Sequence, residues 1–205
     1  MTGLYVNYGC GNNAPEEWTN FDASYTLIFE RLFPFKKQRI FPANVKYGNI
    51  VKGLPIKDNS CNGVYCSHVL EHLSFFDFIV ALKNTYRILK KAGIFRIIMP
   101  DLEDYINIYI KQKVDGEKLA AQMFIEQTLL GVKKRPKSVF DIVKNYYGNS
   151  KHLWLWDKEA TIYYLKKYGF KNINEVYYGE YSDDMFSKVD IKSRYNNSFC
   201  LEMTK

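Results

Sequence analysis

The chain carries few cysteines, and none of them form a motif. Cys10, Cys61, Cys66 and Cys200 include no CxxC pair, which excludes a zinc ribbon and a thioredoxin-type redox site. Long apolar runs are missing too. No segment approaches the roughly 18 residues that a membrane helix needs, and the opening Met-Thr-Gly-Leu-Tyr-Val lacks the basic stretch and apolar run of a secretory leader. The expectation is a cytoplasmic protein with reduced thiols and no membrane association. Internal repeats and low-complexity segments are absent, so solenoids and compositionally biased tails are excluded. Acidic residues are outnumbered 22 to 29 by Lys and Arg, giving a net charge of +7. Such a balance invites a nucleic-acid partner. The charges are scattered, however: only Lys36–Lys37–Gln38–Arg39 and Lys133–Lys134–Arg135–Pro136–Lys137 are runs, and solvated faces commonly carry such runs.

At 205 residues and 47% hydrophobic content, the chain can bury one core without disulfides or metals. Short apolar segments at Gly3–Tyr8, Thr19–Ala23, Val45–Ile50 and Gly63–Ser67 read as strands. Ser74–Lys91 reads as an amphipathic helix, with Ser74 as N-cap, Phe78, Ile79, Leu82, Tyr86 and Leu89 on one face, and Gly93 as stop. Ile94–Met99 follows as a strand that is apolar apart from Arg96. This alternation predicts an α/β Rossmann-like domain: a mostly parallel seven-stranded sheet with helices on both faces. Asn172–Tyr178 and Ser198–Met203 supply an antiparallel C-terminal edge after a helix at Asp157–Tyr168. Residues 101–147 break the rhythm with helical stretches at about 101–113, 115–130 and 138–147. They are expected to form a small helical insertion, or lid, within a single domain spanning 1–205.

Gly9-x-Gly11-x-x-Ala14 has the form of a dinucleotide fingerprint, in which glycines let the backbone turn sharply against a ligand. A carboxylate at the end of the second strand then accepts bonds from ribose hydroxyls. The spacing argues against NAD, because a nicotinamide fold puts that carboxylate about 20 positions past the turn, after a full helix. Here Asp22 follows almost at once. That suits a ligand with no pyrophosphate to cradle, and S-adenosylmethionine (SAM) is such a ligand.

The stretches Asn-Ile-Val-Lys-Gly-Leu-Pro-Ile-Lys-Asp-Asn-Ser (49–60), Val-Tyr-Cys-Ser-His-Val-Leu-Glu-His-Leu (64–73), Tyr-Arg-Ile-Leu-Lys-Lys-Ala-Gly (86–93) and Met-Pro-Asp-Leu-Glu (99–103) go further. They resemble class I SAM-dependent methyltransferases, in particular the methyltransferase type 11 group with its members from bacterial polysaccharide gene clusters. Gly-Asn-Ser-Lys-His-Leu-Trp-Leu-Trp-Asp (148–157) looks like a segment of the same group. The resemblance implies SAM as cofactor. Gly9, Cys10 and Gly11 would lie against its methionine part, Asp22 would hold the ribose, and Ala23 would lie beside the adenine. Asn49 and Ile50 would flank the adenine, with Asn49 standing where an Asp is usual. Ser67 and His68 would approach the methionine carboxyl and the sulfonium. Lys91-Ala92-Gly93 replaces a Pro-Gly-Gly turn common in relatives.

His68, Glu71 and His72 fall at i, i+3 and i+4, so a helix would present all three on one face. They also spell an inverzincin motif, but the preceding strand and the Gly-rich turn do not fit a protease scaffold. Ubiquinone-pathway and small-RNA 2′-O-methyltransferases carry a similar acid-rich triplet where a divalent ion can bind, and His152 stands ready to complete one. Two imidazoles and one carboxylate are nevertheless a poor set for Mg2+, and the expectation is no metal. His72 and His152 are instead candidate general bases. Arg135 and Trp154 are candidate acceptor-binding residues, for an anionic group and a sugar face respectively. The resulting expectation is methyl transfer to a small-molecule or saccharide hydroxyl. An RNA methyltransferase and a SAM-binding protein without transferase activity are the competing readings.

Overall fold

The computed structural model describes residues 3–32, 39–135, 138 and 151–205. Seven strands form one sheet: β1 Leu4–Tyr8, β2 Thr19–Asp22, β3 Val45–Tyr47, β4 Cys61–Ser67, β5 Leu89–Pro100, β6 Lys171–Glu175 and β7 Ser198–Thr204. Their order is β3-β2-β1-β4-β5-β7-β6. The pairs β1–β2, β2–β3, β1–β4 and β4–β5 are parallel, while β7 runs antiparallel to both of its neighbours. This is the expected Rossmann-like sheet with its antiparallel edge. Strand order reverses at β1, so a crevice opens beyond the carboxyl ends of β1 and β4, where open α/β sheets bind ligands. Among the described residues no helix is long and apolar enough to cross a membrane.

Alternation along β5 decides what each face of the sheet buries. Phe95, Ile97 and Met99 point into the larger core, with Val6, Tyr8, Val64 and Cys66. Two helices cover that face: α2 Phe75–Ile88 and α5 Lys158–Lys167, numbered after α1 Tyr25–Leu32, α3 Leu102–Val114 and α4 Ala120–Gln127. Helix α2 starts at Ser74, whose hydroxyl accepts from the Asp77 backbone, and buries Phe78, Ile79 and Leu82. Each such side chain contributes about 1.5–3 kcal/mol by leaving water. Helix α5 starts at Asp157, which accepts from Ala160 N at 2.7 Å.

The opposite face gathers Tyr5, Trp18, Tyr65, Ile98 and Cys200 against Phe186 and Val189. It is closed by short 3-10 turns at Asp184–Lys188 and Lys192–Tyr195. Arg96, fully buried in β5, organises this side. Its guanidinium donates to Glu202 Oε1 at 2.6 Å, Asp190 Oδ2 at 2.8 Å and the Glu180 carbonyl at 2.8 Å, and it also meets the Tyr195 hydroxyl. The one polar residue of the apolar run Ile94–Met99 is therefore the clamp that binds residues 180–202 to the sheet.

Two elements differ from the sequence-based expectation. Helix α2 stops at Ile88 rather than running to Lys91, because Leu89 turns extended, becomes fully buried and pairs with Cys61 in the sheet. Gly93 is thus inside β5, where a Cβ would press on the Cys61 carbonyl, and the chain bends at Ala92 with φ 60°. Helix α1 was not anticipated. It buries Leu27 and Glu30 and leaves Phe29 and Leu32 outside, an apolar pattern that does not point one way. In the 101–147 region, α3 and α4 pack as a pair through Tyr109 and Phe124, whose rings are 5.7 Å apart. The expected helix at 138–147 lies outside the described residues, Ser138 apart, as do Lys36, Lys37, Gln38, Pro136 and Lys137 of the basic runs.

Candidate active site

Strand β1 ends in the turn Gly9-Cys10-Gly11, whose two glycines adopt left-handed φ of 67° and 55°. At Gly9 the need for glycine is also steric, because a Cβ would overlap Cγ2 of Val69 beyond β4. Asp22, at the end of β2, fastens this turn. Its Oδ2 accepts from Gly11 N at 2.9 Å and its Oδ1 from Ser24 N at 2.7 Å. Each oxygen keeps a lone pair, and the residue lines a cavity of about 210 Å³.

The same cavity is bounded by Gly9, Ala23, Gly48, Asn49, Ile50, His68 and His72, together with Tyr8, Ser24, Val69 and Leu73. Gly48 N donates to the Asp22 carbonyl at 3.0 Å, so the ends of β2 and β3 close together. The side-chain oxygen of Asn49 accepts from Val51 N at 2.8 Å, which fixes its loop. Cys10 and Ser67 line a smaller cavity that shares Gly9 and also includes Asn7, Asn13, Tyr65, Ile191 and Arg194. Gly11 borders neither cavity and acts through Asp22. Most residues expected at the cofactor thus converge on one crevice. Ser24 and Gly48 escaped the sequence reading although each adjoins a residue it singled out. Arg194 had no local signal.

The His68–His72 run does not form a helical face. His68 takes φ 54°, a left-handed conformation that is strained for a residue with a Cβ, and Leu70–His72 is a single 3-10 turn. The three side chains still meet, because Glu71 points inward, with only 1% of its side chain exposed. His152 joins them from far along the chain. Leu153 N and Trp154 N donate to the Glu71 carbonyl at 2.8 and 3.2 Å, which ties the 151–156 strap to the turn that carries Glu71 and His72. The His72 and His152 rings are 4.9 Å apart. Burial pushes His152 below the usual histidine value, against the pull of Glu71, so its ring is neutral near pH 7.

Trp156 is core, stacked on Phe78 at 4.1 Å, whereas Trp154 is 45% exposed and leans on Phe75 at 5.2 Å. Arg135 is exposed and lies outside the cavity lining. The cysteines are free and buried; burial raises Cys10 to about 12 and Cys61 to about 11, so neither is a nucleophile near neutral pH.

Residues 6–97 match the family of methyltransferase domains of type 11. Among solved structures, a SAM-dependent methyltransferase of Thermotoga maritima, described as a possible histamine N-methyltransferase, is 18% identical, with TM-score 0.52 over 99% of this chain and 82% of that one. A SAM-dependent methyltransferase of Archaeoglobus fulgidus is 14% identical, with TM-score 0.53 over 99% and 86%. A putative methyltransferase of Haloferax volcanii, solved with its activator Trm112, is 10% identical, with TM-score 0.51 over 100% and 83%. No curated protein matches the chain. The matched segment covers the strands and turns that build the crevice, and the shared fold is that of SAM-dependent methyltransferases, whose cofactor is S-adenosylmethionine.

Proposed function

We propose that the protein transfers the methyl group of SAM to a hydroxyl on a small molecule or saccharide. The observation that carries this reading is the His72–His152 ring pair, 4.9 Å apart beside the cofactor crevice, since methylating a hydroxyl near neutral pH requires somewhere for its proton to go. In this reading Asp22 accepts from the ribose hydroxyls, and Ala23, Asn49 and Ile50 sandwich the adenine. Gly9 and Cys10 face the methionine part, with Gly11 behind them holding Asp22, and Ser67 and His68 approach its carboxyl and sulfonium. Asn49 has one lone pair left for the exocyclic amine, because Val51 N uses the other.

The acceptor oxygen attacks the methyl carbon in line. The new O–C bond forms as the S–C bond breaks, S-adenosylhomocysteine leaves, and the proton passes to His72 or His152. Alignment supplies most of the acceleration, because the sulfonium is already a good leaving group. Trp154, exposed beside Phe75, offers an aromatic face for a sugar ring. Helices α3 and α4 act as a lid bringing Arg135 toward an anionic acceptor group. Resemblance to members from polysaccharide gene clusters supports a saccharide, in the cytoplasm.

The test is release of S-adenosylhomocysteine from SAM with panels of sugar hydroxyls, amines and RNA. Turnover with hydroxyl acceptors that is lost in His72→Ala or His152→Ala supports the proposal. Turnover with amines or RNA alone, or SAM binding with no turnover on any panel, rejects it.

A further inference from the structure

Glu71 is the group that hydrogen bonding does not explain. Its carboxylate is buried, and neither oxygen has a hydrogen-bond donor within reach among the described residues. Such a group costs several kcal/mol unless a cation compensates it. Three imidazole nitrogens surround Oε1: His68 Nδ1 at 3.5 Å, His152 Nε2 at 3.9 Å and His72 Nε2 at 4.0 Å. A charge-assisted hydrogen bond would bring them to about 2.7–2.9 Å.

The tautomers show what faces the carboxylate. A carbonyl oxygen only accepts, so His72 Nδ1 carries a hydrogen that it donates to Lys151 O at 2.8 Å. His68 Nε2 likewise donates to Arg194 O at 2.8 Å. In each ring the nitrogen turned toward Glu71 is therefore the one not engaged by the backbone. A cation held between these nitrogens and the unpartnered carboxylate would compensate the buried charge.

We propose that Glu71, His72 and His152 bind a divalent transition-metal ion. One ligand atom from each lies within 4.8 Å of the others. Bonds of about 2.0–2.2 Å require ligand atoms some 3.4 Å apart, so contraction by about 0.5 Å at each side chain forms the site. The supporting shell is in place: the carbonyl of Lys151 orients His72 as metal-bound histidines are usually oriented. The two backbone bonds to the Glu71 carbonyl hold the His152 strap against its partner. Two imidazoles and a carboxylate select Zn2+, Fe2+, Co2+ or Mn2+ over Mg2+ and Ca2+, which favour oxygen ligands. Three protein ligands would leave coordination positions for water or an acceptor oxygen, and an ion held there would make a bound hydroxyl more acidic. The binding site itself does not depend on which acceptor is used.

The experiment uses the full chain purified without a polyhistidine tag. Elemental analysis should find about one transition-metal ion per chain, or the chelator-stripped protein should bind Zn2+ or Mn2+ in calorimetry at about one per chain, with Mg2+ far weaker. Glu71→Gln, which preserves shape, and His152→Ala should each weaken that binding at least tenfold while SAM affinity is kept. No ion after purification together with no heat on Zn2+ or Mn2+ addition overturns the proposal, as does binding that both variants leave unchanged. Stoichiometric ion binding without hydroxyl methylation would keep the metal site and reject the acceptor reading. Full methyl transfer in stripped protein that binds no ion would do the reverse.

Discussion

Removing the Asp22 carboxylate should weaken both cofactor binding and the fold, by separable amounts. Each carboxylate oxygen accepts one backbone hydrogen bond, from Gly11 N at 2.9 Å and Ser24 N at 2.7 Å, and keeps a lone pair for the cavity. A ribose diol donating to those lone pairs makes hydrogen bonds to a charged acceptor, and Asp22→Ala should cost about 1.5–3 kcal/mol of affinity. That is about a 10- to 150-fold rise in Kd. The fold also loses two backbone partners at the rim of the crevice, each contributing about 1 kcal/mol. For a chain of this size the melting temperature should then fall by about 4–8 °C. Asp22→Asn separates the two effects, because its amide oxygen can still accept one of the backbone bonds while the charge is gone. It should recover part of the thermal loss and little of the affinity. Calorimetric titration with S-adenosylhomocysteine and thermal unfolding of both variants check this. A lowered melting temperature with unchanged affinity would make Asp22 a structural clasp and sink the cofactor assignment of the crevice.

Arg96→Met should destabilise by about 3–5 kcal/mol in urea unfolding, since it strands the buried carboxylates of Asp190 and Glu202. Trp156→Ala should cost about 3–5 kcal/mol, because its ring is packed between Phe75 and Phe78. At pH 8 the four thiols should resist a disulfide reagent in the native protein and react together in guanidinium; fast native labelling of Cys10 would contradict its raised thiol value. Hydrogen exchange across α3 should be faster than across α2, because α3 has no fully buried residue while α2 buries six. Slow exchange there would remove the basis for a lid.

The parts of the fold that depend on one period and one local signal could be read from the chain. Val6, Val64, Phe95 and Ile97 lie in the short apolar segments that read as strands, and the sheet forms there. Asp22 could be placed because the connection from Gly11 is too short for a helix, and the structure has only turns there. The errors arose where tertiary burial overrode local preference. Leu89 fits the apolar face of α2, yet its pairing with Cys61 wins and ends the helix. Helix α1 hides because Glu30 is buried for a non-local reason: its carboxylate accepts from Ile40 N and Phe41 N.

The His-Glu-His spacing illustrates a further limit, since the expected grouping was right for a reason the spacing did not contain. An α-helix would have placed His68, Glu71 and His72 on one outward face. The chain instead leaves β4 through a left-handed His68, which turns Glu71 under the sheet edge, and the histidines are then collected around it by contacts from elsewhere. Lys151 orients His72 and Arg194 orients His68. Arg194 is held in turn because its neighbour Tyr195 donates to Asp190 at 2.6 Å, within the network centred on buried Arg96. The polar clamp on one face of the sheet therefore sets the orientation of a side chain in the crevice at its end. A sequence can show that the residues for such a site are present, but it is the C-terminal segment, pinned by Arg96, that aims one of them.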